Sequence, residues 1–530
     1  MASRRDELNA YNFARRRTVG AFLQPGGGGN DEDAPRPVRA VLPSFVVAAV
    51  VVAGFGMWGV IKPSAPMNWD DGKNIIQGKD STTRYVVLED PQTHEKVLHQ
   101  VLNMSSAKLL LPAGSKVVQV ADKVLDNYKN HGATIGIPYA PDKLPSSADA
   151  GEAKKWSVCD RPGVDTSQVS INQAVFVAAG QDAKVLSDPA RVLQEGQGLY
   201  VQAPPVRKGD EGSKYLVDMN GVKHAVGKTD LEGRNRKALE SGLFGDGAQP
   251  QQVTKAWLDT LENGDPIVFP EIKDLNKEVR TSSNVPISNT QERFVGRLLV
   301  FQNTYYVVGK EKLFVVTPFQ AEVIRNNPDL QVAYGRAATP KATEISPKDN
   351  AELASLVDKS MLDTGDLPDA KPQLPLNAGP KGTRTVICST FEGYDKGAVK
   401  RTVWAHTDYP AKVSLGSASA HVTPGHGLLY RAVDGQTGPG AQDSSGTTFL
   451  ITETGLRYSL QANNDGGNGP SPAPSAAPQQ QQQGNGEENG AQARLGYKTV
   501  VPTMVPLSWS MLVPAGGSLS TKAAETAQTA

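Results

Sequence analysis

The hydrophobic pattern of the chain changes character once. From Val41 to Ile61 (VLPSFVVAAVVVAGFGMWGVI) no charged residue occurs, and a helix of about 21 residues crosses the ~30 Å core of a bilayer. The run exceeds a signal-peptide h-region and ends at Trp58 and Lys62-Pro63 without a clear small-x-small cleavage site. It therefore predicts an uncleaved signal-anchor over 41–61, with a cleaved signal or a buried core helix as alternatives. Before it, residues 6–23 place Leu8, Tyr11, Val19 and Phe22 near one helical face, interrupted by Arg15, with Asp6 and Glu7 in the first turn. Spacing alone leaves two readings of this arm: a helix lying on anionic lipid through Arg15, Arg16 and Arg17, or a docking helix for a cytosolic partner. Gln24–Gly29 and Asp31-Glu32-Asp33 then form a flexible tether.

Beyond the anchor the apolar runs are short and bounded by turn residues, the mark of strands. Two stretches match without a gap. Tyr215-Leu216-Val217 with Gly221, Lys223, His224 and Val226 mirrors Phe449-Leu450-Ile451 with Gly455, Arg457, Tyr458 and Leu460. Each predicts a hairpin with glycine where the turn needs positive φ. The match resumes downstream at a constant offset: Leu243, Pro250, Val253, Trp257 and Gly264 against Leu495, Pro502, Val505, Trp509 and Gly516. Tyr305–Val308 with Leu313–Val316, and Tyr85–Leu88 with Lys96–Leu98, predict two further copies.

Between the copies, Lys155–Cys159 with Ala174–Val177 resembles Thr385–Cys388 with Val403–Ala405. The pattern predicts an elongated α+β body in which four small repeats surround a β-rich central core of pseudo-twofold symmetry. Its expected divisions are a basic arm and linker over 1–40, the span over 41–61, repeat 1 over 75–150 and core half 1 over 151–198. Repeat 2 follows over 199–270, repeat 3 over 290–337, a Pro/Lys/Asp/Ala-rich linker over 338–381, core half 2 over 382–425 and repeat 4 over 426–522. A low-complexity insertion within repeat 4, residues 463–492, has no apolar surface to bury and predicts disorder.

Charge fixes the expected orientation. Residues 1–40 hold seven arginines, whereas the 20 residues after Ile61 hold three lysines, so the positive-inside bias places the N-terminus in the cytoplasm and residues 62–530 outside. With 55 basic and 55 acidic residues in the chain, nothing points to nucleic acid. The two cysteines, Cys159 and Cys388, both follow the anchor and predict one disulfide; two buried thiols are the alternative. Their separation lacks the close pairing of zinc ligands.

Candidate chemistry is sparse. Gly227-Lys228-Thr229 is the only Gly-Lys-[Ser/Thr] triplet, and Val222 stands where a phosphate-binding loop requires glycine. The seven histidines form no HExxH, and no Gly-x-Ser-x-Gly occurs. No catalytic residue, cofactor site or metal site is predicted.

Several motifs in order carry a family resemblance: Tyr11-x-Phe13-x-Arg15-Arg16-Arg17…Ala21-Phe22, one span, Leu102-Asn103-x-x-Ser106-Ala107, Ile135-Gly136-Ile137-Pro138, two distant cysteines and four repeats. Together they resemble EccB, the membrane component of type VII (ESX) secretion systems of actinobacteria. The resemblance implies an envelope scaffold anchored by one span in the inner membrane, assembling with itself and with EccC-, EccD- and EccE-like subunits. It implies an arm (Leu8, Tyr11, Phe13, Arg15–Arg17, Phe22) that contacts cytosolic parts of the complex. An ATPase label accompanies some family descriptions, and the missing phosphate loop argues against it. An envelope enzyme or wall-binding module is the alternative class.

Overall fold

The computed structural model describes residues 3–23, 37–61, 65–163, 171–227, 233–279, 293–335, 340–358, 365–370, 376–377, 384–413, 420–433, 446–461 and 490–528. The chain divides into two compact units, one of residues 1–71, 76–82 and 117–129, the other of residues 72–75, 83–116 and 130–530.

The first unit holds two helices. Arg4–Leu23 starts with Asp6 and Glu7 in its first turn and buries no residue. Pro37–Ile61 covers the uncharged run, with Pro43 inside it; Phe45, Val46, Val50, Val52 and Phe55 are exposed. Among the described residues no helix is long and apolar enough to cross a membrane. In this helix the unbroken stretch with described side chains, 43–55, is by itself shorter than a ~30 Å bilayer core requires. Elsewhere in this unit Trp69 meets Tyr128 edge-on, ring centres 5.4 Å apart. The Asp122 carboxylate accepts from Asp80 N–H at 2.7 Å.

The second unit is α+β and dominated by sheets. Its central sheet takes two strands from each half of the sequence plus a short edge. The spatial order is Ala398–His406, Val386–Asp395, Lys155–Pro162, Ile171–Ala178 and Ala420–Val422. Cys388 lies directly opposite Cys159 on the antiparallel pair in the middle.

Two other sheets share one topology. Leu199–Gln202, Lys214–Val217 and Val222–Ala225 form an antiparallel meander, with Gln251–Gln252 and Glu262–Asn263 added parallel at its two edges. Leu298–Phe301, Thr304–Val308 and Leu313–Val316 form the same meander, flanked in parallel by Thr343–Glu344 and Val357–Asp358. A fourth region builds its meander from Leu428–Val433, Thr448–Ile451 and Arg457–Leu460. Its edges carry parallel Thr503–Pro506 on one side and parallel bridges to Ala515 and Leu519 on the other. In the first repeat region, Arg84–Glu89 pairs with Lys96–Val101, whose outer edge carries parallel bridges from Leu98 to His131 and from Val101 to Ile135.

Three apolar clusters join these sheets. One face of the central sheet (Trp156, Val158, Val403) shares a core with Val217 and Trp257 and with Tyr430 and Trp509. Leu429, Leu450 and Tyr458 share a second core with Val86, Val101 and Ala107. Tyr200, Leu239 and Phe244 share a third with Phe319 and Val323. Each half of the sequence therefore crosses over. The strands Arg84–Glu89 and Lys96–Val101 and the helix Met104–Leu110 pack on the sheet of Leu428–Val433, and the helix Pro318–Arg325 packs on the sheet of Leu199–Gln202.

The structure places elements within two of the expected low-structure stretches. The stretch 338–381 is more than a linker, because Thr343–Glu344 and Val357–Asp358 complete the third sheet. Between them the helix Pro347–Leu353 is started by a capping box from Ser346 and Asp349. The predicted insertion 463–492 falls almost wholly outside the described residues, but its last two residues open the helix Ala491–Arg494, where Ala491 is buried. Polar, Pro-rich composition hides such short elements.

Candidate functional site

The arm residues lie together on one helix, Arg4–Leu23, in which no residue is buried among the described residues. Tyr11 is 67% exposed and Phe22 87%, with Leu8, Phe13, Arg15, Arg16 and Arg17 exposed beside them.

Cys159 and Cys388 form a disulfide that is fully buried. It bridges residues facing one another across the strand pair that joins the two halves of the sequence, beneath Phe176 and Trp404. On the opposite face the next residue, Asp160, is wholly buried. Its carboxylate accepts from Thr254 N–H at 2.7 Å and Thr254 Oγ1 at 2.8 Å, and Gln173 Nε2 donates to it at 3.0 Å. Burial pushes this carboxyl above its ordinary range despite those bonds. Thr254 caps the short helix Lys255–Leu258 by accepting from Trp257 N–H. One buried carboxylate thus fixes both the central sheet and the helix that carries Trp257.

The residues matched in sequence occupy matched environments. Gly221 and Gly455 sit at φ 77° and 75° in their turns, a conformation other residues rarely adopt. Trp257 and Trp509 are both buried in the same core. Lys223 Nζ donates to Leu258 O at 2.6 Å, at the end of one tryptophan helix, and Arg457 Nε donates to Val513 O at 2.9 Å, just after the other. A Cβ on Gly264 would collide with His224, and one on Gly516 with Tyr458, the two counterpart residues.

Some functional positions escaped the sequence reading. Tyr458 Oη donates to Tyr139 O at 2.9 Å, and Asn103, which caps Met104–Leu110, donates to Ile137 O at 2.8 Å. The two motifs Leu102–Ala107 and Ile135–Pro138 are therefore one assembly. Asp369 O likewise accepts from Phe319 N–H at 3.0 Å, at the head of the helix Pro318–Arg325. A signal for this was present: Ile137-Pro138-Tyr139-Ala140 and Leu367-Pro368-Asp369-Ala370 are the same pattern at a fixed offset.

The remaining candidates stay dispersed. His94 pairs with Glu89, His421 with Asp182 and His426 with Asp149, while His224 meets Asp265 O at 3.0 Å. Gly227 follows a strand residue, and Lys228-Thr229 lie outside the described residues. Among the described residues no group of three metal-ligating side chains converges.

The fold and its buried clasp define a sheet-rich α+β body, and the N-terminal helix buries no residue among the described residues. Comparison with known proteins gives the family. Residues 1–530 match the family described as Type VII secretion system ESX-1, transport TM domain B, and the chain belongs to it. It is a structural subunit of a type VII secretion complex. Among solved structures it is similar to a chain of an intact ESX-5 inner membrane complex, at 19% identity and TM-score 0.57, covering 100% of this chain and 96% of that one. It is also similar to a chain of the periplasmic assembly from that complex, at 19% identity and TM-score 0.57, covering 88% and 98%. A third similar chain comes from the EccB3 dimer of the ESX-3 core complex, at 20% identity and TM-score 0.56, covering 86% and 100%.

Proposed function

We propose that this chain is a non-catalytic, single-pass scaffold of the export complex. In this reading Pro37–Ile61 crosses the inner membrane, the arm lies in the cytoplasm, and residues 62–530 stand outside. The observation that carries it is an asymmetry about that helix. On one side is an arginine-rich helix that buries nothing; on the other is a body closed by a buried disulfide, a bond that persists in oxidising compartments. The arm supplies the contact with cytosolic parts of EccC-, EccD- or EccE-like subunits. The body assembles with a second copy of itself. Its four sheet regions act as repeats of one unit around a pseudo-twofold core, which supports a rigid brace rather than a reaction site.

Deleting residues 6–23 tests this. The expected result is loss of export and of co-purifying subunits while the body retains its thermal unfolding transition. Unchanged export would overturn the docking role. Labelling of cysteines placed in the arm or in exposed body loops of intact cells checks the topology.

A further inference from the structure

Repeats 2 and 4 act as controls for one another. At the fixed offset that aligns them, Val253 with Val505 and Trp257 with Trp509 are identical and buried in both segments. Four positions at or near the surface of the same segment change from polar to apolar, while Ala256 against exposed Ser508 runs the other way. Repeat 2 presents Gln249, Gln252, Lys255 and Asp259; repeat 4 presents Val501, Met504, Leu507 and Met511 at the corresponding places. In repeat 2 the row is solvated, with Lys255 Nζ 2.6 Å from Asp259 on an exposed helical turn. In repeat 4 Val501 is 81% exposed and Met511 54%, and Leu507 is exposed one helical turn before Met511. The fold does not require an apolar residue at any of these positions, since its own second copy of the segment does without.

We propose that this row is where a second copy of the chain packs, row against row across a two-fold axis. The proposal rests on the self-assembly stated above and gives it a surface. An uncharged row is complementary to itself under two-fold symmetry, whereas the Lys255–Asp259 row has no such need. The nearby cation, Arg457, is committed to Val513 O and to Met511 Sδ within its own chain and does not oppose its symmetry mate. Two methionines give the row the adaptability that interface cores favour.

The test uses the full chain in mild detergent. Leu507→Lys with Met511→Asp writes the repeat 2 ion pair into repeat 4 and should leave the melting temperature unchanged. The expected result is a rise of at least about tenfold in the dimer dissociation constant by sedimentation. Lys255→Leu with Asp259→Met should leave that constant unchanged. Ser508→Cys, exposed between Leu507 and Met511, should cross-link two copies on mild oxidation. A wild-type dimer that survives the Leu507/Met511 exchange overturns the proposal, as does a dimeric variant that loses a different subunit. A wild-type chain that is monomeric overturns the self-assembly reading itself.

Discussion

Replacing Cys159 and Cys388 together by serine opens a loop of 229 residues. In the chain-entropy account, closing a loop of ~100 residues contributes about 4.7 kcal/mol, and the logarithm raises this only to about 5.5 kcal/mol here. Measured losses run lower, so a fall of about 2–5 kcal/mol is expected. The loss should concentrate in the central sheet, because the two cysteines face each other on the strand pair joining the halves, with both side chains fully buried. Guanidinium unfolding of the full chain without reductant, followed by tryptophan fluorescence, reads this directly. Trp404 shares the buried cluster of the disulfide. With a slope of about 5 kcal/mol/M, the midpoint should drop by roughly 0.5–1 M. Reducing the wild type after unfolding, then refolding it, should give the same midpoint as the variant. A midpoint shift under about 0.1 M would refute the claim that the clasp holds the halves together.

Trp257→Ala and Trp509→Ala should each cost about 3–5 kcal/mol, because each empties a fully buried site in the core beneath the central sheet; equal and large drops by thermal unfolding are expected, and a small effect at either would separate the two repeats. Gly516→Ala should destabilise by about 1–3 kcal/mol, through collision with Tyr458, and Gly264→Ala similarly through His224; a melting temperature at the wild-type value for either would contradict that contact. Burial pushes the Asp149 carboxyl up, but His426, Lys154 and Gly427 N–H outweigh it and hold it below its ordinary value. A lowered folded-state pKa adds stability that is present above the unfolded value near ~3.9 and lost as pH falls through the folded value. Melting temperature should therefore fall more steeply below about pH 4 in the wild type than in Asp149→Asn; parallel acid limbs would remove Asp149 from that account.

Much of this architecture was legible in the residues. Gly221 and Gly455 announced their turns because positive φ admits few alternatives, and Trp257 and Trp509 announced buried core positions because large apolar side chains seek burial. The cysteines announced a clasp by being two. The crossing of the halves was not legible, since periodicity shows which face of a strand is buried but not what covers it. Asp160 was invisible for a related reason: a carboxylate at the end of an apolar strand reads as an edge until Thr254 and Gln173 arrive from distant sequence. The completion of the third sheet by Thr343–Glu344 and Val357–Asp358 was masked by a Pro- and Lys-rich composition that ordinarily marks linkers. In the arm, sequence supplied the residues, and the structure adds that Tyr11 and Phe22 stand exposed along a formed helix among the described residues.

The most direct test of the scaffold account is to purify the tagged chain from its native membrane in mild detergent and identify every co-purifying chain by mass spectrometry. The account predicts a large assembly with a multi-span channel subunit and a separate ATPase subunit, lost on deletion of residues 6–23. Recovery of this chain alone, as a monomer or dimer free of other subunits, would contradict it.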